Sequence, residues 1–409
     1  MKRAMILPTN ELRPALKLDL KEDVLPVYLE MLRTGKVKKP VITERSSGVI
    51  LGHQEVYEAL VLLGVDRVPV VELEGENLKL SSERRLSLED IVKRVTSGEL
   101  LSKGDFKVEV EENLELDIEV TELMEKTVEM KKYLRVYDDT LELLHLNWPT
   151  PLVKLSSFSD DKLTVWAKLE CFNSFSNSVK DRIGWFMFLD ALHSMKTKTF
   201  LYEATSTNTG IALAAMAAKF GKKLRLFIPQ SIQKASDVLL KVLGAEVIRV
   251  PVSLTVEAVK EVDELAKEEG AVHLNQFENN ANFKVHLMTT ARELDEQLRF
   301  RRLRPSCIIG GLGTSGHMSA ISLYFKEKYG NSVKIVGVQP AEGCTIPGIR
   351  RIESGMKWIH WTKFDEVIDV TLDEAIEGVL EVARNEGLLI GLSSGAVFSA
   401  FKKSSAEEG

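Results

Sequence analysis

The feature that most constrains this chain is a regular alternation of short apolar strands and helical segments from residue 146 onward. The predicted strands are rich in β-branched or aromatic residues and read TVWAKLE, TFLYEA, KLRLFIP, AEVIRVPV, AVHLNQ, PSCIIGG and VKIVGVQP. Segments with helical spacing, such as IALAAMAAKFG, DVLLKVLG and ARELDEQLRF, separate most of them. Because parallel strands need crossover connections, this order predicts an α/β fold with parallel sheets. Ligands of such sheets bind beyond the carboxyl ends of the strands, so the loops that follow strands are the candidate site.

Composition limits the class of protein and its setting. The 409 residues carry 54 Lys and Arg against 60 Asp and Glu, a net charge of −6, so we expect no nucleic-acid partner. No apolar run approaches the ~20 residues of a membrane span, and none at the N-terminus has signal-peptide length. We therefore expect a cytoplasmic protein with no membrane partner. The three cysteines, Cys171, Cys307 and Cys344, form no metal-binding pair, so no metal site is predicted.

The first 80 residues predict a separate small α/β unit. Residues 39–53 alternate apolar runs around a turn at SSG, which indicates two short strands. A helical segment then ends at Gly64, and VPVVEL predicts another strand. Residues 81–144 are rich in charge and predict a helical connector, in which Ser87 is placed to cap a helix.

Two loops that follow strands bring polar groups to the start of a helix. In CFNSFSNSVKDRIG, a helix is expected to begin near Lys180, where the helix dipole disfavours a cation unless an anion is bound. Lys180 is therefore either a cofactor-linking or phosphate-binding lysine or an ordinary surface lysine. In EATSTNTG, hydroxyl and amide groups before Gly210 are suited to a carboxylate, and Asn208 to a ring substituent. A simple N-capped turn is the alternative.

A third loop is rich in glycine and favours a phosphate. The segment GGLGTSG (310–316) follows a buried strand and precedes a helix, and Thr314 and Ser315 add hydroxyl donors. A dinucleotide site would need an acidic residue ~20 residues later, and neutral Gln339 stands near that place. The pattern thus predicts a single phosphate rather than a dinucleotide, with a bare glycine turn as the alternative.

Two further segments carry candidate ligand-binding side chains. GLLIGLSSGAVFSAF (387–401) reads as a strand, a turn and a helix, in which Ser393 or Ser394 either donates to a ring nitrogen or caps the helix. IPGIRRIESG carries Arg350 and Arg351, which are suited to an anionic substrate group or to a surface ion pair.

Together, from residue 145 to about 400, these motifs resemble the fold-type II pyridoxal-phosphate enzymes of the cysteine synthase and cystathionine β-synthase group. NWPTPL resembles their opening motif, SVKDR their lysine segment, and TSTNTG their TSGNTG loop, with Thr207 where the family usually has glycine. The resemblance implies a synthase domain at 145–409 with two open, twisted α/β subdomains, pyridoxal 5'-phosphate as cofactor, and a homodimer. The family usually continues with a strand and an Asp-Gly segment, so we expect a C-terminally short domain.

Within that group the chain is most similar to archaeal O-phosphoserine sulfhydrylases, through HLNQFENNANF, GTSGHMSA and IPGIRRIESGMKWI. In that branch an arginine of IPGIRR binds the substrate phosphate, which implies Arg350 first and Arg351 second. The implied reaction is a β-replacement that makes L-cysteine from O-phospho-L-serine and sulfide through an aminoacrylate. The alternatives are a cysteine synthase that uses serine or O-acetylserine, a cystathionine β-synthase and a diaminopropionate synthase.

The resemblance also implies a role for each site residue. Lys180 would hold the cofactor and take the α-proton of the substrate, and Asn208 would contact the 3'-oxygen of the cofactor. Ser393 would face the pyridine nitrogen, where a neutral partner favours β-elimination over transamination. The substrate carboxylate would bind Thr205, Ser206, Thr209 and Gln276. The cofactor phosphate would bind Gly313, Thr314, Ser315, Gly316 and His317.

The N-terminal segment LPTNELRPALKLD, with residues 39–73, resembles the ParB/sulfiredoxin-like domain. That family includes ADP-dependent free-serine kinases, so a bifunctional enzyme would make its own phosphoserine. The kinase segment commonly reads DGHH, whereas this chain has LGHQ (51–54), which leaves Glu30 and Glu55 as substitutes for the missing acidic residue. We therefore favour a structural or dimer-forming unit, with a regulatory or DNA-associated role as a further alternative.

Overall fold

The computed structural model describes residues 4–73, 79–81, 86–109, 114–124, 135–192, 194 and 200–407. The chain divides into two units, Met1–Tyr133 and Leu134–Gly409. None of the helices in the described ranges has both the length and the apolar character that a membrane crossing requires.

The first unit is built around a four-stranded sheet. Its main elements are β1 (Met5–Pro8), α1 (Leu25–Thr34), β2 (Lys36–Val37), β3 (Val41–Glu44), β4 (Ile50–Gly52), α2 (Gln54–Leu62) and β5 (Arg67–Leu73). The sheet order is β1-β5-β3-β4, with β3 and β5 parallel and the other pairs antiparallel. The two strands and the turn predicted for 39–53 are present. Gly48 in that turn has φ +67°, and a Cβ there would lie 2.3 Å from the carbonyl oxygen of Glu11.

The structure differs from the helical connector predicted for 81–144. The described residues there contain α3 (Leu88–Thr96) and α4 (Thr140–His145), and 125–134 lie outside the described residues. Ser87 caps α3 as predicted, in a capping box with Asp90. Three short strands accompany these helices: β6 (Lys79–Ser81), β7 (Lys107–Glu109) and β8 (Ile118–Glu119). Because β8 pairs with β2, much of the predicted connector belongs to the first unit. Strand pairing between distant segments leaves no periodic signal in so charged a sequence.

The second unit contains two parallel sheets, which confirms the predicted α/β organisation. Its first half comprises β9 (Leu152–Lys154), β10 (Trp166–Lys168), α5 (Lys180–Ala191), β11 (Phe200–Ala204), α6 (Asn208–Lys219), β12 (Lys223–Pro229), α7 (Ser236–Val242), β13 (Glu246–Val250), α8 (Val259–Glu268) and β14 (Val272–His273). The order β13-β12-β11-β14 is parallel throughout. An apolar core with residues of α5 and α6 covers one face of this sheet, and α8 packs on the other.

The second half of this unit continues the alternation. It comprises α9 (Ala281–Val285), α10 (Arg292–Phe300), β15 (Cys307–Gly311), α11 (Gly316–Tyr329), β16 (Lys334–Pro340), β17 (Glu366–Val370), α12 (Leu372–Glu386) and α13 (Leu392–Glu407). A π-helical stretch, His286–Ala291, joins α9 to α10. The sheet β15-β16-β17 is parallel, and residues of α12 and α13 pack against it.

Two local predictions in this half need correction. The strand predicted before the turn at Ser393 is not formed, and 387–391 connect α12 to α13 without a strand. Leu389 there is 89% exposed, so its apolar run is not buried in a sheet. Conversely, β17 was not predicted, because EVIDV alternates polar and apolar residues only briefly. Its pairing with β16 supplies the context that short strands need.

Candidate active site

The candidate site lies where the parallel strands β11 and β15 end. Residues 205–207 connect β11 to α6, and 312–315 connect β15 to α11. The side chain of Asn282 joins the neighbourhoods of these two loops, because it donates to the carbonyl oxygen of Gln276 and to Thr314 Oγ1, both at 2.8 Å. The predicted edge of the sheets therefore does gather the candidate residues.

Lys180 is the first residue of α5, and the segment before it is held in place. Ser178 Oγ accepts from the Lys180 amide at 3.1 Å. The carboxylate of Asp181 accepts from the amides of Phe175 and Ser176 at 2.7 and 2.8 Å, which fixes the loop at the helix start. Burial lowers the pKa of Lys180 to about 8, although the nearby Glu170 acts in the opposite direction. With this pKa about a tenth of the amine is neutral at pH 7, far more than for an ordinary lysine, which suits a nucleophile or a base.

Within the first turn of the same helix, a buried ion cluster forms around Arg182. We use this name for Arg182, Glu170, Glu293 and Lys168. The Arg182 side chain is fully buried and binds both carboxylates with two nitrogens each, at 2.7–2.9 Å. Lys168 Nζ contacts Glu293 at 2.9 Å. Burial alone would raise the pKa of Glu170, but Arg182 and Lys168 hold it at about 2.

Hydroxyl groups complete this cluster. Thr150 of the TPL segment donates to Glu170 Oε1 at 2.7 Å and accepts from Arg182 at 3.1 Å, and Thr289 Oγ1 accepts from Arg182 at 2.9 Å. Every N–H of the guanidinium therefore has an acceptor. The opening motif and the lysine segment meet here, so the cluster fixes the start of α5 and with it Lys180.

The loop after β11 presents free donors. Thr205 Oγ1 accepts from the amides of Thr207 and Gly210, at 3.3 and 3.2 Å, so its own proton remains for another acceptor. Ser206 is half-buried and Asn208 is exposed at the first turn of α6. A Cβ at Gly210 would lie 2.9 Å from Thr205 Cγ2, so glycine lets the helix approach this loop. The geometry suits a carboxylate bound by Thr205 and Ser206.

Gln276 and Thr209 are partners of each other. Thr209 Oγ1 donates to Gln276 Oε1 at 2.9 Å, while Gln276 Nε2 donates to Glu203 Oε1 at 3.1 Å and to the carbonyl oxygen of Ala204 at 2.9 Å. Both amide protons of Gln276 are thus occupied in this structure. Its contact with a substrate carboxylate stays a prediction, and it requires release from Glu203. Burial raises the pKa of Glu203 to about 8.

The loop after β15 forms a tight cup. A Cβ at Gly313 would lie 2.8 Å from the carbonyl oxygen of Gly348, and one at Gly316 would lie 2.5 Å from Asn282 Oδ1. Ser315, at φ +72°, precedes the 14-residue helix α11. Its buried Oγ has no hydrogen-bond partner within the described chain. Free hydroxyl and amide donors at a helix N-terminus suit a phosphate group.

His317 lies in the first turn of α11 and packs against a second histidine. The rings of His317 and His286 are 5.0 Å apart in an edge-on arrangement, and His286 Nδ1 lies 2.9 Å from Thr290 Oγ1. Burial lowers the pKa of His317 to about 4. The ring is therefore neutral at physiological pH, and any contact it makes with a phosphate is a neutral hydrogen bond.

The two candidate arginines point to different surroundings. Arg350 Nε donates to the carbonyl oxygen of Gly313 in the cup at 2.8 Å, and its guanidinium lies 5.0 Å from the centre of the Phe277 ring. Arg351 instead forms ion pairs with Asp369 at 2.7 Å and Glu353 at 3.1 Å. Arg350 therefore lies beside the cup, whereas Arg351 is bound in ion pairs away from it.

Ser393 also lies beside the cup. A Cβ at Gly348 would lie 3.5 Å from Ser393 Oγ, and the carbonyl oxygen of Gly348 is the group that crowds Gly313. Ser393 is in the first turn of α13 and is half-buried. Ser394 in the same turn is exposed, so Ser393 is the better placed of the two serines.

Comparison with known proteins places this site in a family. The sequence model of the pyridoxal-phosphate dependent enzymes matches residues 143–409, and the chain belongs to this family. The cysteine synthase of Staphylococcus aureus strain Mu50 is 36% identical over 268 residues, which cover 62% of this chain and 85% of that protein. Cysteine synthase B of Escherichia coli K12 is 36% identical over 252 residues, 60% and 82% of the two chains.

Solved structures give the same result. A hydrogen sulfide-producing enzyme from Fusobacterium nucleatum superposes with a TM-score of 0.60 at 31% identity, over 67% of this chain and 94% of that one. O-ureido-L-serine synthase superposes with a TM-score of 0.58 at 25% identity, over 65% and 85%.

The predicted cofactor, pyridoxal 5'-phosphate, is confirmed by membership of this family. The site fits it, because the buried Ser315 hydroxyl in the cup has no partner among the residues that the structure describes, and because Lys180 has a lowered pKa. When bound, the cofactor supplies electron withdrawal next to the substrate α-carbon. The roles of the individual residues in holding it stay predictions.

Sequence reasoning missed several contributors to this site. Asn282 and His286 belong to a polar segment, HLNQFENNANFKVH, which carried no local motif beyond its resemblance. Glu203 lies in a strand between apolar residues, where a lone carboxyl was the one available signal. The ion cluster joins Glu170 and Glu293, which are far apart in sequence, so only the fold shows it.

Proposed function

We propose that this enzyme catalyses a β-replacement that makes L-cysteine from O-phospho-L-serine and sulfide. The phosphorylated donor is supported mainly by Arg350, a half-buried cation that forms no ion pair in the described chain. Its Nη1 donates to Ser354 Oγ at 3.0 Å, and its Nη2 has no acceptor among the described residues. Burial lowers the pKa of Arg350 to about 10, so it still carries its charge at neutral pH. A charged guanidinium with free donors beside the cup suits a second phosphate.

The other residues supply orientation and proton transfer. The neutral fraction of the Lys180 amine accepts the α-proton of the substrate. Lys180 is the first residue of α5, and the ion cluster holds this end of the helix in place. The Thr205 hydroxyl, with Ser206, donates to the substrate carboxylate. Ser393 provides an uncharged partner for the cofactor ring. The names of the relatives, cysteine synthase and hydrogen sulfide-producing enzyme, support sulfur chemistry at such a site.

Paired substitutions of the adjacent arginines test the phosphorylated donor. For Arg350→Ala we expect KM for O-phosphoserine to rise about 10- to 100-fold, with KM for O-acetylserine within about twofold of wild type, because only the phosphate loses a charged partner. Arg351→Ala is the matched control, and it should leave both values near wild type because its ion pairs are exposed.

The same assay decides between donors. If Arg350→Ala raises KM equally for both amino acids, Arg350 does not bind the substrate phosphate. That result would favour the second candidate, a cysteine synthase that uses O-acetylserine or serine. The 36% identity to cysteine synthases supports that candidate equally well.

For the first unit we propose a ParB/sulfiredoxin-like domain with a structural or dimer-forming role in a cytoplasmic homodimer. Gln54, in the segment that replaces the kinase motif, supports this reading. Its Oε1 accepts from the amides of Ala15 and Leu16 at 2.9 and 2.8 Å, so it fastens the chain rather than facing a ligand. Incubation of the full chain with serine and ADP should yield no O-phosphoserine. Product that disappears in Glu30→Gln or Glu55→Gln would establish the kinase instead.

A further inference from the structure

Asn282 is a buried residue of α9 that touches two parts of the site. The residue is only 1% exposed to solvent. Both protons of Nδ2 are used, one on the carbonyl oxygen of Gln276 and one on Thr314 Oγ1. Its Oδ1 has no hydrogen-bond partner in the described chain and lies against Gly316, where a Cβ would come within 2.5 Å. One amide thus links the segment next to the carboxylate loop with the cup.

The bond to Thr314 sets the direction of that hydroxyl. An oxygen that accepts from Asn282 keeps its own proton for another acceptor. No acceptor for it lies among the described residues. At the base of the cup, where a phosphate binds, the hydroxyl is therefore fixed as a donor before the ligand arrives. Such pre-orientation reduces the cost of ordering the group on binding.

The bond to Gln276 fixes the other side. The Gln276 amide nitrogen lies 3.3 Å from Glu203 Oε1, its side chain is held by Glu203 and Thr209, and its carbonyl oxygen is held by Asn282. The residue is thereby clamped at its main chain and its side chain. Without Asn282 the carbonyl oxygen of Gln276 would be left buried and unpaired, a cost that shifts this segment.

We propose that Asn282 is a positioning residue that couples the phosphate cup to the carboxylate loop, by holding Thr314 as a donor and Gln276 in register. The cup half of this inference needs only the cofactor of the family. The carboxylate half rests on the proposed function.

A double-mutant cycle on cofactor binding tests the cup half. The dissociation constant of pyridoxal 5'-phosphate is measured by equilibrium dialysis for wild type, Asn282→Ala, Thr314→Val and the double variant. Each single change should weaken binding by about tenfold, and the double variant should be about as weak as either single one, because Asn282 acts through Thr314. Multiplication of the two effects, to about 100-fold, would overturn the coupling.

Two further variants separate positioning from loss of structure. Asn279→Ala is the matched control, since Asn279 Nδ2 also donates twice, to Asp190 at 3.3 Å and to the carbonyl oxygen of Leu274 at 3.2 Å, away from the cup. It should leave cofactor binding within about twofold of wild type. Asn282→Asp should bind the cofactor more weakly than Asn282→Ala, since a carboxylate would capture the Thr314 proton and repel the phosphate. Stronger binding by Asn282→Asp would contradict the proposal.

The effect of Asn282 on the carboxylate loop is measured by steady-state kinetics at saturating cofactor. Asn282→Ala should then raise KM for the amino acid by about fivefold or more with little change in kcat, whereas the control Asn279→Ala should leave KM unchanged. Equal KM values in the two variants would overturn this half. Because the dialysis needs no amino acid, failure of the proposed donor leaves the cup result intact, and failure of the cycle leaves the donor assay intact.

Discussion

The ion cluster around Arg182 and the cup around Ser315 lie in the same unit, yet they treat buried polar groups in opposite ways. In the cluster every donor of a fully buried guanidinium has an acceptor, and two carboxylates share two cations. In the cup Ser315 Oγ and Asn282 Oδ1 are buried without a partner in the described chain. Unpaired buried polar atoms are rare and call for a reason. The cluster is complete without a ligand, whereas the Ser315 hydroxyl of the cup lacks an acceptor in the described chain that a phosphate oxygen would supply.

The comparison explains how rigidity and binding are divided. A buried ion pair adds little net stability over apolar packing, but removal of one member is costly, so it enforces a single geometry. That geometry sets the start of α5 and Lys180. The cup keeps unpaired donors, and its binding energy is therefore available to a phosphate.

The largest effect on stability should come from removal of the arginine at the centre of the ion cluster. Arg182→Met leaves Glu170 and Glu293 buried with one cation between them, and we expect the free energy of unfolding to fall by about 3–5 kcal/mol. Arg351→Met, which breaks exposed ion pairs, is the control and should cost at most about 1 kcal/mol. Denaturant titration measures both. If Arg182→Met lowers the free energy of unfolding by less than about 1 kcal/mol, the two glutamates do not depend on Arg182 for their burial as ions.

Two glutamates sharpen the comparison, since Glu170 has cations beside it and Glu203 has none among the described residues. The pKa of Glu170 is about 2 and that of Glu203 about 8. Glu203 is therefore neutral when folded at pH 6, while in the unfolded chain it ionises above its ordinary value of 4.5. The stability that it contributes is full below that value and is lost as pH rises to about 8.

Glu203→Gln removes this dependence. Relative to the variant, wild type should lose about 1 kcal/mol of unfolding free energy per pH unit between pH 5 and 8. Unfolding curves of the two proteins at several pH values measure the difference. Parallel pH profiles would show that Glu203 is ionised in the folded protein and paired in a way that this structure lacks.

The smallest effect tests the cup. Ser315→Ala removes a hydroxyl without a partner in the described chain, so unfolding of the cofactor-free protein should change by less than about 0.5 kcal/mol. Cofactor affinity should fall by about tenfold, since a hydrogen bond to phosphate is lost. Ser319→Ala is the control, because Ser319 Oγ is also buried and unpartnered, one turn further along α11. Equal weakening by the two variants would place the phosphate deeper than the cup.

The sequence by itself determined the features whose signals are local. Strand and helix alternation, the glycine-rich turn and the position of Lys180 at a helix start all follow from periodicity and turn chemistry over a few residues. These signals predicted the α/β organisation and a bound phosphate. The cofactor followed from the resemblance of the motifs to a known family, and family membership confirms it. The individual site roles named from the motifs stay predictions.

Tertiary structure decided what depends on contacts between distant segments. The choice between Arg350 and Arg351 depends on Gly313 and Asp369, which lie 37 and 18 residues away. The clamp on Gln276 depends on Glu203, 73 residues earlier, and the role of Asn282 on Thr314 in another sheet connection. A side chain's neighbours across the fold set its free donors and its pKa, and periodicity along the chain carries no record of them.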